Sequence, residues 1–428
     1  MSTSKFLQIH TLTSYPGTLL NRDDAGFAKR LPFGGATRTR VSSQCLKYHW
    51  RNFDGEHGLY ENSIPKSYRS RETFKRRVAK PLVDEKYPES LVLAATYALI
   101  ERLLTDKKTG KNDIKKLVWP EEGNDPWSEL ETSQITVFGE PEMRYFRDLI
   151  SGKLDALIEE NPSLKNTPAD TNQEVLDAAL EVVSDFAKGD LKTNLKSLKT
   201  ASGLDAAMFG RMVTSDVLAR GDAAIHVAHA LTTHEEESES DYFSAVDELR
   251  RDEPEESGEL GAGHINSTEL SSGLFYQYVV IDIPLLISNL EGVTRNEWLE
   301  ADKTLAKETI RRMVHLIATV SPGAKLGSTA PYSYAQCLLV ESGNGQPRTL
   351  ANAFERPVSK NGKGVLANSY EAMGQFIADM EQMYEIKFDR KLAASGPVEL
   401  LKGPLNMDET VPVREVANWA AQKAGGTS

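Results

Sequence analysis

Strand-like patterns stand at both ends of this 428-residue chain, and the long stretch between them has the periodicity of helices. Residues 6–13 alternate in polarity, and residues 271–287 are rich in aromatic and β-branched side chains, as strands are. From about 56 to 222, apolar residues recur at three- and four-residue spacings. This order predicts an α+β core interrupted by a helical domain.

Shorter segments refine this expectation. Residues 14–40 are rich in Pro, Gly, Asn and Asp and predict a long loop. Residues 41–51 predict a helix that Ser42 or Ser43 caps, with Leu46 and Trp50 on one face. Further helices are expected at about 302–318, 369–385 and 414–423, and further strands at 337–341 and 397–401.

Composition excludes several classes of protein. The two cysteines, Cys45 and Cys337, are too few for a disulfide framework or a cysteine-based zinc ribbon. The first residues lack the apolar segment of a signal peptide, and no run of 18 apolar residues occurs. We therefore expect a cytoplasmic protein with no membrane partner.

Charge is distributed unevenly along the chain. The net charge is −12, yet residues 1–80 contain 15 Lys and Arg against 6 Asp and Glu. Residues 235–259 contain 12 acids against only Arg250 and Arg251. A basic front with acidic islands is typical of a protein that binds a polyanion on one face, although ordinary charge clustering also explains it.

Hydrogen-bond donors are dense where the predicted loop meets the predicted helix. Arg and Lys neutralise phosphates, and Ser, Gln and helix N-terminal N–H groups donate to phosphate oxygens. Gly34 and Gly35 just upstream allow a tight turn or a close backbone approach. The candidates are Arg38, Arg40, Ser42, Ser43, Gln44, Lys47 and Arg51. A solvated basic helix end with a serine cap is the alternative.

Catalytic and metal-binding signals are weak. Asp23 and Asp24 can hold a divalent metal, but an Asx turn or a salt bridge is favoured for such neighbours. His226, His229 and His234 suggest metal ligation, but capping or packing roles are favoured. No GxxxxGK[ST] or GxSxG motif occurs. We expect no enzymatic activity, no bound metal and no cofactor.

Three further segments allow two interpretations each. Residues 271–280 are either a base-stacking strand like that of RNA-recognition sheets or a strand of core aromatics. Phe243 either wedges between bases or anchors its own hairpin within the acidic, projecting segment 235–268. Residues 321–333 either hold a phosphate through Lys325 or simply connect two elements.

Several motifs agree in order and spacing with one family. They are NRDD at 21–24, FGG at 33–35, RVSSQ-x-LK at 40–47, GRM at 210–212, DYF at 241–243, PGAK at 322–325 and LANAFE at 350–355. On these motifs the chain resembles the CasC-type backbone subunits of the type I-E CRISPR surveillance complex, Cascade. The resemblance covers most of the chain.

The resemblance implies a right-hand architecture. An RNA-recognition-like (ferredoxin-like) palm would comprise residues 1–55 and 266–428, helical fingers residues 56–222, and a projecting thumb residues 230–265. Copies of such subunits wind along CRISPR RNA as a helical filament, and each thumb displaces a guide base. The guide then pairs with target DNA. Other Cascade subunits and a recruited helicase-nuclease are the further implied partners.

The resemblance also assigns residues. Contacts with the guide backbone would come from Arg22, Lys29, Ser42, Gln44, Lys47 and Arg51. Met212 would pack near the kinked bases and Phe243 would lie at the thumb, whose acids we expect to meet the basic surface of a neighbouring copy. Two alternatives stay open: a metal-dependent ribonuclease that uses Asp23 or Asp24, and a scaffold that binds no nucleic acid.

Overall fold

The computed structural model describes residues 4–60, 65–104, 125–166, 191, 194–195, 203–211, 222–245 and 264–425. The chain divides into two compact units. The sheet unit comprises residues 1–59, 226–283 and 303–428, and the insert unit comprises residues 60–225 and 284–302. The mixed helix-and-sheet class is confirmed, whereas the bounds of palm, fingers and thumb stay predictions. No helix within the described ranges is long and apolar enough to cross a membrane.

Within the described residues, nine strands form one sheet that is the centre of the sheet unit. They are β1 (Phe6–Thr18), β2 (Arg30–Phe33), β3 (Ala36–Val41), β6 (Ile225–Val227), β7 (Ala230–Thr232), β8 (Glu237–Ala245), β9 (His264–Asp282), β10 (Cys337–Gly343) and β11 (Asp389–Ala394). The order is β11-β10-β1-β9-β7-β3-β2, and β6 and β8 also pair with β9. Strand β1 runs antiparallel to both β9 and β10, so that Ile9 lies between Val279 and Val340.

Helices cover the sheet within this unit. They are α1 (Ser43–Asn52), α7 (Thr304–Thr319), α8 (Leu326–Thr329), α9 (Val365–Tyr384), α10 (Glu399–Lys402) and α11 (Val413–Lys423). The predicted helices at about 302–318, 369–385 and 414–423 are thus confirmed as α7, α9 and α11. Tyr370, Met373 and Ile377 of α9 pack in one core with Leu12 and Leu339 of the sheet. Burial of such side chains contributes about 1.5–3 kcal/mol each.

The prediction of a long loop over residues 14–40 is confirmed for residues 19–29 and wrong on either side of them. Strand β1 continues to Thr18, and β2 and β3 form a hairpin in which Phe33 pairs with Ala36. Gly34 and Gly35 form the two-residue turn with φ of 60° and 79°. Two positive φ angles are the geometry of a type I′ turn, whose twist matches that of paired strands. The strands escaped prediction because their side chains are mostly polar or charged.

Two other strand predictions need correction. Strand β9 ends at Asp282, and residues 283–287 begin a helix instead, because Pro284 suits the first turn of a helix. The strand predicted at 397–401 is wrong, since residues 397 and 398 form a turn and α10 begins at Glu399. The edge strand is β11, which pairs with the confirmed strand β10. A short apolar run does not distinguish strand from helix.

The insert unit combines helices with a two-stranded sheet. Its elements are β4 (Ser67–Ser70), α2 (Lys80–Asp84), α3 (Glu89–Leu104), β5 (Thr136–Gly139), α4 (Glu140–Glu160), α5 (Gly203–Phe209) and α6 (Ile283–Glu291). Phe138 meets Phe74 and Phe146 edge to face, with ring centroids 5.1 and 5.8 Å apart. The predicted helical character is confirmed for α3 and α4, and part of the predicted helical block lies outside the described residues.

A buried ionic cluster ties β1, β10 and β11 together, and we call it the Glu341 cluster. It comprises His10, Glu341, Arg348, Glu381 and Arg390. Glu341 is completely buried and binds Arg348 at 2.6 Å and Arg390 at 2.9 Å, and Arg390 also contacts Glu381. Burial alone would raise the pKa of Glu341, but contact with His10 and the hydrogen bond and charge of Arg348 outweigh it and hold the pKa well below its usual range.

Candidate nucleic-acid interface

Ser42 caps helix α1, which follows the β2–β3 hairpin directly. Its hydroxyl accepts a hydrogen bond from the N–H of Cys45 at 3.3 Å, and its own N–H donates to Oδ1 of Asn21 at 2.9 Å. Ser42 is only 6% exposed. The predicted cap is therefore confirmed, and the Ser42 hydroxyl is occupied inside the protein.

Helix α1 turns its polar side chains away from the core. Leu46 and Trp50 are buried, as predicted, whereas Gln44 is exposed and Lys47 and Arg51 are half-buried. Gln44, Lys47 and Arg51 are spaced by three and four residues, so they follow one another along a single face of the helix. That face presents an amide and two cations.

Tyr48 belongs to the same face of α1, and the sequence analysis missed it. Its side chain is 58% exposed, and its ring meets the imidazole of His49 edge to face at 5.4 Å between centroids. The available signal was the position of Tyr48 four residues after Gln44 and three before Arg51.

His229 holds the first turn of α1 from a neighbouring segment of the sheet. Its Nδ1 accepts a hydrogen bond from the N–H of Ser43 at 3.2 Å and lies 3.4 Å from a guanidinium nitrogen of Arg40. Burial lowers the pKa of His229, and the positive charges of Arg40 and Lys29 lower it further. The imidazole is therefore a neutral acceptor at pH 7, which is the favoured capping role.

Metal ligation by the histidines finds no support in the geometry. His234 is buried, and its Nε2 accepts the N–H of Leu274 at 3.2 Å. The described residues contain no group of three or more His, Cys, Asp or Glu side chains arranged to hold a metal.

Arg38 and Arg40 are two residues apart on β3 and project from the same face of the strand, yet they differ in burial. Arg38 is completely buried and donates to the carbonyl oxygens of Thr232, Phe354 and Glu355 at 2.9, 2.8 and 3.2 Å. Its prediction as a phosphate contact is therefore corrected: this guanidinium fastens the sheet to the segment at 354–355. Arg40 is half-buried and donates to the carbonyl of Arg30 at 3.3 Å.

The NRDD segment folds as an Asx turn. Oδ1 of Asp23 accepts the N–H groups of Ala25 and Phe27 at 3.0 and 2.9 Å. Arg22 forms a β-bridge with Ala28, and its side chain is exposed. The favoured interpretation of this acidic pair is thus confirmed for Asp23. The turn carries Arg22 and Lys29 to the same edge of the sheet unit.

Lys29 lies near helix α1. Burial raises the pKa of the Cys45 thiol to about 11, and the charge of Lys29 opposes that rise. Lys29 also lowers the pKa of His229, so it is close to both the helix and its cap. The structure thus brings the predicted Lys29 together with Arg40, Ser43 and the exposed face of α1.

Acids at the base of the β8–β9 hairpin are paired within the chain. Arg30 contacts both Glu236 and Glu269, and Lys360 binds Glu237 at 2.7 Å. The hydrogen bond from Lys360 is the main reason why the pKa of Glu237 is lowered. The predicted hairpin is confirmed where β8 and β9 pair. Its basal acids, however, neutralise cations of their own chain, and the expected pairing with a neighbouring copy has to use other acids.

Two predicted residues lie on or against this hairpin, Lys325 and Phe243. Lys325 donates to the hydroxyl of Thr268 on β9, which pairs with Asp241 of β8. Phe243 stands opposite Asn266 in the β8–β9 register, and its side chain lies outside what the structure describes. Met212 is also outside the described residues.

The aromatic residues of β9 belong mainly to the core. Phe275 and Tyr276 are 3% and 1% exposed, and the Tyr276 hydroxyl accepts the N–H of Leu350 at 2.9 Å. Tyr278 is half-buried and donates to Oε1 of Gln8 at 2.9 Å. The core interpretation of this strand is therefore confirmed, and it offers no base-stacking platform.

What remains is a set of donors on and around helix α1, which we call the donor surface. Its members are Arg22, Lys29, Arg40, Ser43, Gln44, Lys47 and Arg51. Within the described residues, Arg22, Lys29 and Arg40 form no ion pair, and Arg40 contacts only neutral acceptors. Cations that lack an internal carboxylate are suited to bind the phosphates of a nucleic-acid strand.

Comparison with known proteins gives family and fold. The Cas family model of the CT1975-like proteins matches residues 7–416. A chain of a CRISPR RNA-guided surveillance complex, pre-nicking, is 24% identical, with a TM-score of 0.70 over 98% of this chain and 100% of that chain. A chain of another CRISPR RNA-guided surveillance complex is 20% identical, with a TM-score of 0.62 over 97% of this chain and 99% of that one. No curated protein matches the sequence.

Proposed function

The chain belongs to the CT1975-like family of Cas proteins, and on that basis we propose that it is the backbone subunit of a Cascade-type CRISPR surveillance complex. In this role it binds CRISPR RNA through the donor surface. The type I-E assignment that the CasC-like motifs suggest is part of the proposal. The likeness in fold to chains of CRISPR RNA-guided surveillance complexes supports it.

The observation that carries the proposal is the face of α1 formed by Gln44, Lys47 and Arg51, beside Arg40 and Lys29. These side chains end in amide, ammonium and guanidinium groups, which neutralise or donate to phosphate oxygens. Phosphate contacts carry no sequence information. Binding is therefore insensitive to guide sequence and weakens as salt rises.

The same proposal covers the architecture of the assembled particle. The sheet unit is the RNA-recognition-like palm, the insert unit supplies the helical fingers, and the β8–β9 hairpin is the thumb, with Phe243 on β8. Copies associate head to tail along the guide, an arrangement that gives an open helix rather than a closed ring. The guide pairs with target DNA, and other Cascade subunits and a helicase-nuclease complete the partners in the cytoplasm.

We further propose that the subunit is not an enzyme. The Asp23 carboxylate is engaged by two backbone N–H groups, which fits a turn better than a metal site. The ribonuclease alternative predicts regular cleavage of complementary RNA with Mg²⁺. Incubation of the assembled complex with such RNA, with and without a chelator, checks this. Cleavage that is lost in Asp23→Ala or Asp24→Ala would replace our proposal by the enzymatic one.

Replacement of Lys47 and Arg51 by Ala tests RNA binding directly. The full chain is expressed with a CRISPR array, and the ratio of absorbance at 260 and 280 nm reports bound RNA. The affinity of the purified chain for single-stranded RNA is measured from 50 to 300 mM salt. We expect each change to weaken binding by about tenfold. The slope of log K against log salt should fall by about 0.7 for each lost phosphate contact.

The matched control replaces Lys363 and Lys402, two lysines of the sheet unit that pair with Glu371 and Glu399. It removes the same charge from the protein, so unchanged affinity is expected. A loss confined to particular guide sequences in the Lys47 and Arg51 variants would contradict phosphate binding. A wild-type chain that purifies without RNA would favour the scaffold alternative.

A further inference from the structure

Two tyrosines of the segment between α7 and β10 are among the most exposed large side chains of the sheet unit. Tyr332 is 71% exposed and Tyr334 is 73% exposed, and they flank Ser333. Burial of aromatic rings is a main source of stability, so rings held in solvent contribute little to the fold. Their exposure calls for an explanation outside the folded chain.

The segment that carries them is fixed to the sheet unit. The Ser321 hydroxyl donates to the carbonyl of Ser333 at 3.0 Å and accepts its N–H at 2.9 Å. Ala335 donates to the carbonyl of Ala318 at 2.8 Å, and Ala324 donates to that of Leu19 at 3.0 Å. The tyrosines are therefore presented on a braced backbone, which reduces the entropy lost when they bind a partner.

The same segment contacts helix α1, which carries part of the donor surface. The N–H of Gly323 donates to Nε2 of His49 on α1 at 3.3 Å. A side chain at Gly323 would meet Leu326 at 2.5 Å and Pro331 at 2.7 Å, so Pro331 packs directly on this glycine. Tyr332 follows Pro331 in the chain. The tyrosines thus belong to a segment that contacts α1, and Tyr48 of that helix is also exposed.

We infer that Tyr332 and Tyr334 form a stacking platform for the bases of the single-stranded RNA whose phosphates bind the donor surface. This inference rests on the proposed function and adds a second kind of contact to it. Aromatic rings beside a basic groove are the pattern of single-strand binding, because every base has a π-face. The surroundings also favour bases over an apolar protein surface, since Lys325, Thr329 and Ser333 are polar and Leu326 is the only other large exposed apolar residue of this segment.

Abasic RNA separates the two kinds of contact. The full chain is titrated with a single-stranded RNA and with a ribose-phosphate strand of equal length that lacks bases, and anisotropy gives both affinities. Tyr332→Ala with Tyr334→Ala should weaken binding to the RNA by about tenfold for each stacked base. The abasic affinity should stay unchanged. Tyr332→Phe with Tyr334→Phe should restore RNA binding, because the ring is retained.

Tyr384→Ala is the matched control, since Tyr384 is 56% exposed at the end of α9. It should change neither affinity. Equal losses on both strands, or no loss on either, would overturn the platform. A loss of self-association without RNA, seen by sedimentation, would assign the tyrosines to a second copy and overturn it too. If RNA affinity falls on replacement of Lys47 and Arg51 but not on replacement of the tyrosines, this inference alone is refuted. A wild-type chain that binds neither the RNA nor the abasic strand would refute both this inference and the proposed function.

Discussion

The Glu341 cluster and the donor surface belong to the same unit but differ in how their charges are paired. In the cluster, Glu341 is completely buried between Arg348 and Arg390, and Glu381 supplies the second negative charge. On the donor surface, Arg40 contacts only a carbonyl and an imidazole. Charges that are paired inside hold the fold together, whereas cations that meet neutral groups remain available for an external anion.

Removal of the Glu341 charge should have the largest effect on stability. Glu341→Gln leaves two guanidinium groups buried without their main counter-charge, which costs about 3–5 kcal/mol. Urea unfolding followed by circular dichroism measures this loss. RNA affinity per folded molecule should stay unchanged, because the cluster supplies no donor to the surface.

Glu371→Gln is the control for that change. Glu371 pairs with Lys363 at 3.0 Å, but both side chains are 56% exposed. Exposed pairs contribute about 0–1 kcal/mol, so little change in the unfolding midpoint is expected. A comparable loss of unfolding free energy in Glu341→Gln and Glu371→Gln would show that burial does not make the Glu341 ion pairs more important for stability than the exposed pair.

Arg38 and Arg40 allow a buried cation and an accessible cation of the same strand to be compared. Arg38→Met removes three hydrogen bonds to carbonyl groups and should cost about 2–4 kcal/mol, because those acceptors lose their donor. Arg40→Met should leave the unfolding midpoint nearly unchanged and weaken RNA binding instead. Urea unfolding and RNA titration of both variants measure the two effects. The opposite assignment would place Arg38 on the binding surface and contradict its burial.

Sequence periodicity predicted the elements that depend on local pattern. Helix α1, its Ser42 cap and its buried Leu46 and Trp50 follow from spacing within one turn. The β2–β3 hairpin was missed because Arg30, Thr37, Thr39 and Arg40 carry no apolar alternation. Its strands form because β7 pairs with β3, a contact nearly 200 residues away in the chain.

The sequence predicted the residue types of the candidate site, but not which of its donors are buried and which are accessible. The donors around residues 38–51 stood out by density, and the CasC-like motifs selected most of them. No local pattern says that Arg38 is buried while Arg40 is not, since residues two apart on a strand project from the same face. That choice depends on the carbonyl groups of residues 354 and 355, which only the fold brings to β3.

Acid should weaken the protein through its buried histidine. Burial is the largest influence on the pKa of His10 and lowers it, although Glu341 opposes the change. The unfolded chain therefore binds a proton at a higher pH than the folded one, and stability falls as the pH drops below about 6.5. The expected slope is up to about 1.4 kcal/mol per pH unit for one histidine.

Urea unfolding at pH 7.5 and pH 5.5 measures this slope. His10→Gln lowers stability at both values but should flatten the difference between them. His229→Gln serves as the counterpart on the donor surface, where the same direction of pKa shift applies. Stability that rises toward pH 5.5 in the wild type would contradict the lowered pKa of both histidines.

Ser42 and Ser43 give the smallest and sharpest form of the comparison. Ser42→Ala removes the hydroxyl that caps α1 and should cost about 1 kcal/mol of unfolding free energy. The Ser43 hydroxyl donates only to Gln44, at 3.4 Å, so Ser43→Ala should leave stability within about 0.5 kcal/mol. Any effect of Ser43→Ala should appear as a modest loss of RNA affinity. Thermal unfolding and RNA titration of both variants distinguish a serine that stabilises the helix from one that is accessible to RNA. Equal destabilisation by the two changes would contradict that distinction.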